Sequence, residues 1–336
     1  MKSKPIPVTL IGGYLGSGKT TLINHLLNQE HDHRIAVLVN DFGELAIDAA
    51  LIETTENNIV SLSGGCVCCS YGNDLSNALM DVISLDMTPD QIVIEASGVA
   101  IPDAIASSVS LMPQLLVHSI IVLANAELIQ DQAIDKYVGD TIERQLNSAD
   151  LLVLNKIDLV ENETLIDLKR WLAENWPTTK NVYVRQAQLP ASIILDTIVS
   201  TKILSEKLTA GITNKTTGGK VSYTKVSDLA PSPLTHASIF NTFKVDVTEP
   251  TDANTLAALL ASEEAQLLRA KGFVQDNEGS MKLIQVVGRR WNVTTVPIDS
   301  IEKTGSGVVC IALKHSAEAA DIRALMKEQM SFAISV

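Results

Sequence analysis

The sequence predicts an α/β fold: a mainly parallel sheet with helices on both faces, followed by a smaller α+β unit. Three observations predict it. Short runs that are apolar throughout recur along residues 1–200, helical patterns alternate with them, and the order changes to successive strands after a Thr/Gly/Ser/Pro-rich stretch. Strands buried on both faces read as continuous apolar runs, which is the mark of a covered parallel sheet.

The first unit is expected to hold strands at Ile6–Ile11, Ile35–Asn40, Ile59–Leu62, Ile92–Glu95, Ser119–Leu123, Leu151–Leu154 and Val182–Arg185. Between them, Leu22, Ile23, Leu26 and Leu27 recur at helical spacing, as do Leu75, Leu79, Val82 and Ile83. Residues 1–203 form this unit and 204–236 read as a linker. The second unit, 237–336, is expected to have strands at Ile239–Val247, Gly272–Gln275, Leu283–Val287, Val293–Val296 and Val308–Leu313. A helix is expected from Asp252 to Ala265 and a closing one from Ala317. Its Arg269, Lys271, Arg289 and Arg290 read as solvated surface, the alternative being docking of a client or covering of the nucleotide, and Cys310 reads as a core strand residue.

With 336 residues the chain can bury a full core, and its net charge of −13 with no Lys/Arg block argues against nucleic acid or an anionic membrane surface as partner. No run reaches the roughly 18 apolar residues of a membrane helix. Three of the four cysteines share one tetrapeptide, which is no disulfide framework and points to a reducing, cytoplasmic compartment.

Gly13-Tyr14-Leu15-Gly16-Ser17-Gly18-Lys19-Thr20 fits the phosphate-loop pattern, between an expected strand and an expected helix, as the P-loop NTPase fold requires. Its glycines let backbone N–H groups wrap a phosphate, and the helix N-terminus adds its dipole. Lys19 is expected to reach the β- and γ-phosphates and Thr20 to hold Mg²⁺. Gly13, Gly16, Ser17, Gly18, Lys19, Thr20 and Thr21 are the candidate phosphate-side residues.

Asn155-Lys156-Ile157-Asp158 follows the run Leu151–Leu154, at a strand end where ligands bind in open α/β sheets. The Asp158 carboxylate suits the paired N–H donors of guanine, with Asn155 and Lys156 framing the base. Glu95-Ala96-Ser97-Gly98 closes another strand. Glu95 there suits ordering of Mg²⁺ through water, and the Gly98 N–H suits approach to a γ-phosphate. Asp41 and Glu44, in Asn40-Asp41-Phe42-Gly43-Glu44, are candidates for Mg²⁺ or water positioning, the bland alternative being a plain turn. Lys19, Glu95 and Asp41 form the candidate catalytic set.

Cys66, Cys68 and Cys69 lie in Ser63-Gly64-Gly65-Cys66-Val67-Cys68-Cys69. Three thiolates within four residues suit a soft or borderline ion, Zn²⁺, Co²⁺ or Cu⁺. They leave a coordination position for another ligand such as Asp41, Glu44, water or a client. Small buried thiols or redox chemistry of the Cys66–Cys69 pair are the alternatives. His31 and His33 read as a solvated loop, with metal binding at their i, i+2 spacing as the alternative, and His118 as a satisfied core or edge histidine.

GGYLGSGKTTLINHLL, VNDFGELAID, SLSGGCVCC, EASGVAIPD and LLVLNKIDL, in this order, resemble the CobW-like GTPases, a group associated with cobalamin synthesis and zinc-regulated metallochaperones. LRAKGFV, LIQVVGRRW and the closing strand–helix resemble that group's small C-terminal domain. The resemblance implies a GTPase using GTP and Mg²⁺, binding Zn²⁺ or Co²⁺ at the CxCC motif and delivering it to a client metalloprotein, with self-association left open. Three positions depart from the group's pattern: Asp41 stands where Glu is frequent, Ala96 replaces a hydroxyl residue, and Asn125 stands where Asp is common. The group's frequent His-rich stretch is missing. Two other classes stay open, a P-loop kinase or ligase of small molecules and a non-catalytic GTP-binding module with structural zinc.

Overall fold

The computed structural model describes residues 5–29, 34–39, 59–62, 73–85, 87–196, 239–296 and 306–332. The expected linker, Asp41, Glu44, Cys66, Cys68, Cys69, His31 and His33 lie outside these residues.

The first sheet holds β1 (Ile6–Gly12), β2 (Ile35–Val39), β3 (Ile59–Leu62), β4 (Gln91–Glu95), β5 (Leu115–Asn125), β6 (Leu151–Asn155) and β7 (Lys180–Tyr183). Their order is β3-β2-β4-β1-β5-β6-β7, and every neighbouring pair is parallel. The expected parallel α/β architecture is thus observed. Period-two alternation sends neighbouring residues to opposite faces. Val8, Leu10, Ile92, Ile94, Leu152 and Leu154 pack beneath α2 (Asn73–Ile83), α3 (Pro102–Ser110), α5 (Gly139–Ser148) and α6 (Asn162–Asn175). Ile11, Val93, Ile121 and Val153 face α1 (Lys19–Leu27) and the short helix α7 (Ala191–Ile194). A further helix, α4 (Ile129–Ile134), precedes α5, and no helix among the described residues is long and apolar enough to cross a membrane.

The second sheet is antiparallel, in the order β11-β10-β9-β12-β8, with β8 (Phe240–Asp246), β9 (Leu267–Gln275), β10 (Met281–Val287), β11 (Arg290–Val296) and β12 (Gly307–Leu313). Helix α8 (Ala253–Ala261) is capped by Asp252, whose carboxylate accepts from Thr255 N. It covers one face through Leu256, Ala257 and Leu260, and Ile322 of α9 (Ala319–Phe332) joins the same core. Cys310 is fully buried on β12, and burial pushes its thiol up to about 12.

Two expectations for this unit are corrected. The strand expected at Gly272–Gln275 begins at Leu267, because its leading half carries two cationic residues that mask an apolar run. Arg269 and Lys271 are not solvated, whereas Arg289 and Arg290 keep 36% and 34% of their side chains exposed, in part as expected. Arg269 is 3% exposed, donates to Ser192 O at 2.5 Å and also bonds Leu195 O, while Lys271 Nζ lies 2.6 Å from Asp196 Oδ1. Arg290 Nε lies 2.5 Å from Asp150 Oδ2, and Arg289 N donates to Asp150 O at 3.2 Å. The face of the second sheet opposite α8 is therefore fixed on the first unit, where its Leu268 and Ile311 join the α1-side core.

Candidate functional site

In a parallel sheet all strands present their C-terminal ends at one edge, and β1, β3, β4, β5 and β6 deliver Gly12, Leu62, Glu95, Asn125 and Asn155 there. Register brings them level, with Ile11 opposite Glu95 and Asn125 opposite Asn155. The chain toward Cys66 thus leaves β3 at this edge.

The phosphate loop closes through backbone conformations that side chains disfavour: Gly13 has φ +131°, Gly16 +72° and Gly18 +105°. A Cβ at Gly13 would run into Leu123 O, and one at Gly18 into Asn155 Nδ2, so glycine is required at both. Gly18 directly precedes Lys19, the first residue of α1, so the N-terminal end of this helix adjoins the loop. Lys19 is buried and its Nζ donates to Gly13 O at 2.9 Å and Tyr14 O at 3.4 Å, curling over the loop. The hydroxyl of Ser17 is buried without a hydrogen-bond partner among the described residues, as is that of Ser97. Thr21 is exposed on α1.

Thr20 Oγ1 donates to Glu95 Oε1 at 2.9 Å, joining the start of α1 to the end of β4. An alcohol and a carboxylate held this close form an all-oxygen donor set, which fits a hard cation such as Mg²⁺. Buried Gly98 belongs to the turn after β4, and a Cβ on it would sit 2.6 Å from Leu15 Cγ, so this turn rests on the phosphate loop.

Asn155 is buried and both ends of its amide are engaged. Nδ2 donates to Ser17 O at 2.9 Å, and Oδ1 accepts from Ala187 N at 2.7 Å. It therefore braces the phosphate loop against residues 186–188, and any framing of a base by Asn155 runs through that brace. Lys156 follows in the left-handed region at φ 63°, turning the chain so that Asp158 stands exposed in a 3₁₀ turn, Ile157–Leu159. Opposite this brace, Gln186 and Ala187 also hold positive φ, 51° and 53°. Neither residue type signals that conformation, and the sequence reading passed over this loop.

Gln145 was passed over too, although a polar residue among Ile142, Leu146 and Ala149 at helical spacing is a readable signal. Asn125 is buried at the end of β5 and accepts from Glu127 N at 3.1 Å. His118 on β5 is buried as expected, yet its Nε2 has no partner among the described residues, so it is not a fully satisfied histidine.

Residues 7–183, more than half of the chain, match the model of the CobW/HypB/UreG nucleotide-binding domain, and residues 240–328 match the cobalamin synthesis protein cobW C-terminal domain. The zinc chaperone YjiA of Escherichia coli is 38% identical over 163 residues, which cover 46% of this chain and 50% of that one, half its length. The zinc chaperone CobW of Pseudomonas aeruginosa is 29% identical over 322 residues, covering 85% of this chain and 82% of that one. The crystal structure of Zn(II)-bound YjiA GTPase from Escherichia coli is 24% identical, with a TM-score of 0.43, covering 97% of this chain and 99% of that one. The extent of the first match makes this chain a member of the CobW/HypB/UreG family.

Proposed function

We propose that this chain hydrolyses GTP and uses the cycle to bind a transition metal, zinc or cobalt, at Cys66, Cys68 and Cys69 and pass it to a client protein. One observation carries the nucleotide half. A glycine loop with Lys19, the Thr20–Glu95 pair and the Asn155–Asp158 segment converge on a single sheet edge, with Asn155 bonded to Ser17 of the loop. The metal half is supported by relatives named zinc chaperones and by the strand that leads to the thiol loop ending on that same edge. Division of the chain at 204–236 belongs to the same proposal.

In this reading the loop N–H groups and Lys19 hold the β- and γ-phosphates, and Asp158 selects guanine. Thr20 and Glu95 hold Mg²⁺, with Asp41 and Glu44 as further candidates; when bound, Mg²⁺ offsets charge on the phosphate oxygens. Water attacks the γ-phosphorus, the bond to the β–γ bridging oxygen breaks, and GDP and inorganic phosphate leave. Catalysis of this kind is positioning plus electrostatics, so removing the buried Lys19 ammonium carries a heavy penalty.

The test is phosphate release from GTP and ATP by the purified chain and its Lys19→Ala variant. GTP turnover that exceeds ATP turnover and falls on the order of 100-fold in the variant is expected. Equal turnover of both nucleotides, or none, overturns the proposal.

A further inference from the structure

Gln145 is a polar side chain in a core position. It lies on α5 between Ile142 and Leu146, on the face turned to the sheet, and is 2% exposed. A buried amide costs free energy unless its N–H groups find acceptors. Here Nε2 donates to Gly98 O at 3.1 Å and to Ala100 O at 2.8 Å. Both carbonyls belong to the turn that carries the chain from Glu95 to Pro102, and Ala100 N donates back to Ser97 O at 3.0 Å.

This is the turn that rests on the phosphate loop, with the Cβ space of Gly98 filled by Leu15. A trans peptide sets each N–H opposite its C=O. Tying Gly98 O to α5 therefore aims the Val99 N–H away from α5. Tying Ser97 O to Ala100 N aims the Gly98 N–H out of the turn. Two backbone donors beside the phosphate loop are oriented by these bonds, and Gln145 reaches the turn from a separate helix.

We infer that Gln145 is a positioning residue for GTP hydrolysis, holding the 97–100 turn so that the Gly98 and Val99 N–H groups are set for the phosphate undergoing transfer. This rests on the GTPase reading above. A residue that only completed the fold would affect stability and nucleotide binding together. A positioning residue affects the chemical step, where small misplacement costs on the order of 10- to 100-fold.

The experiment compares the full chain with Gln145→Met, which keeps length and loses both donors, and Gln145→Glu, which keeps shape and turns a carboxylate on the two carbonyls. GTP kcat and KM, GDP affinity and thermal midpoint are measured for each. A kcat lower by at least tenfold in either folded variant, with GDP affinity within twofold of the parent, is expected. Unchanged kcat overturns the inference. So do parallel losses of kcat, GDP affinity and thermal midpoint, or failure of both variants to fold. An unaltered chain that hydrolyses no GTP overturns the GTPase reading itself.

Discussion

Asp158 follows a left-handed Lys156 just beyond the end of β6 and is exposed. In the proposed function this carboxylate accepts two charge-assisted hydrogen bonds from guanine, worth about 1.5–3 kcal/mol each. Asp158→Ala is therefore expected to lower the preference for GTP over ATP at least tenfold, measured as the ratio of kcat/KM values, with the buried Asn155 brace intact. His118 gives a second prediction. Burial, and next the Arg269 charge, push its imidazole from 6.5 down to about 3. The unfolded chain takes up this proton near 6.5 and the folded chain only near 3, so stability falls as pH drops through that window. His118→Leu is expected to flatten the dependence of the urea midpoint on pH between 6.5 and 3; an unaltered slope assigns the loss to other groups. At this scale the phosphate loop was legible because its glycines, lysine and threonine act through local backbone geometry. Gln145 and Gln186-Ala187 were less so, since their roles depend on groups brought in from distant segments.

Strands and helices explain why the second unit was misread at its cations. Arg269 and Lys271 are two apart on β9, so they share a face, and that face meets Asp196 beyond the end of α7. Burial alone would raise the Asp196 carboxyl, but the Lys271 ammonium foremost outweighs it and holds the group below its usual range. From Asp196 the polar contacts continue inward. Asp196 N donates to Gln91 Oε1 at 2.5 Å, and Gln91 Nε2 donates to Thr9 Oγ1 at 2.7 Å. Thr9 is on β1, which ends in the phosphate loop, and Gln91 opens β4, which ends at Glu95. No spacing in the sequence links Asp196 to residues some 75 positions away, whereas alternation and helical period disclosed the parallel sheet itself. Asp196→Ala leaves two cations buried against the first unit and is expected to cost about 3–5 kcal/mol in urea unfolding. Gly288, in the β10–β11 turn, has φ +56°, and a Cβ there would run into the Asp150 carbonyl. Gly288→Ala is expected to lower stability by about 2 kcal/mol, since both backbone strain and a steric clash oppose it.

On the scale of the whole molecule, one sheet edge gathers the phosphate loop, the Thr20–Glu95 pair, the Asn155–Asp158 turn and the end of the strand leading to Cys66. Under the proposed function, nucleotide and metal favour a common arrangement of the segments at this edge. Thermodynamic linkage then requires each ligand to raise the affinity of the other by the same factor. The most direct measurement is the Zn²⁺ affinity of the full chain in the presence of Mg²⁺ with a non-hydrolysable GTP analogue, with GDP, and with no nucleotide. The account predicts tighter Zn²⁺ binding with the analogue, by a factor of about 5–150 if the coupling has the usual 1–3 kcal/mol size. Equal Zn²⁺ affinity in all three states would contradict it.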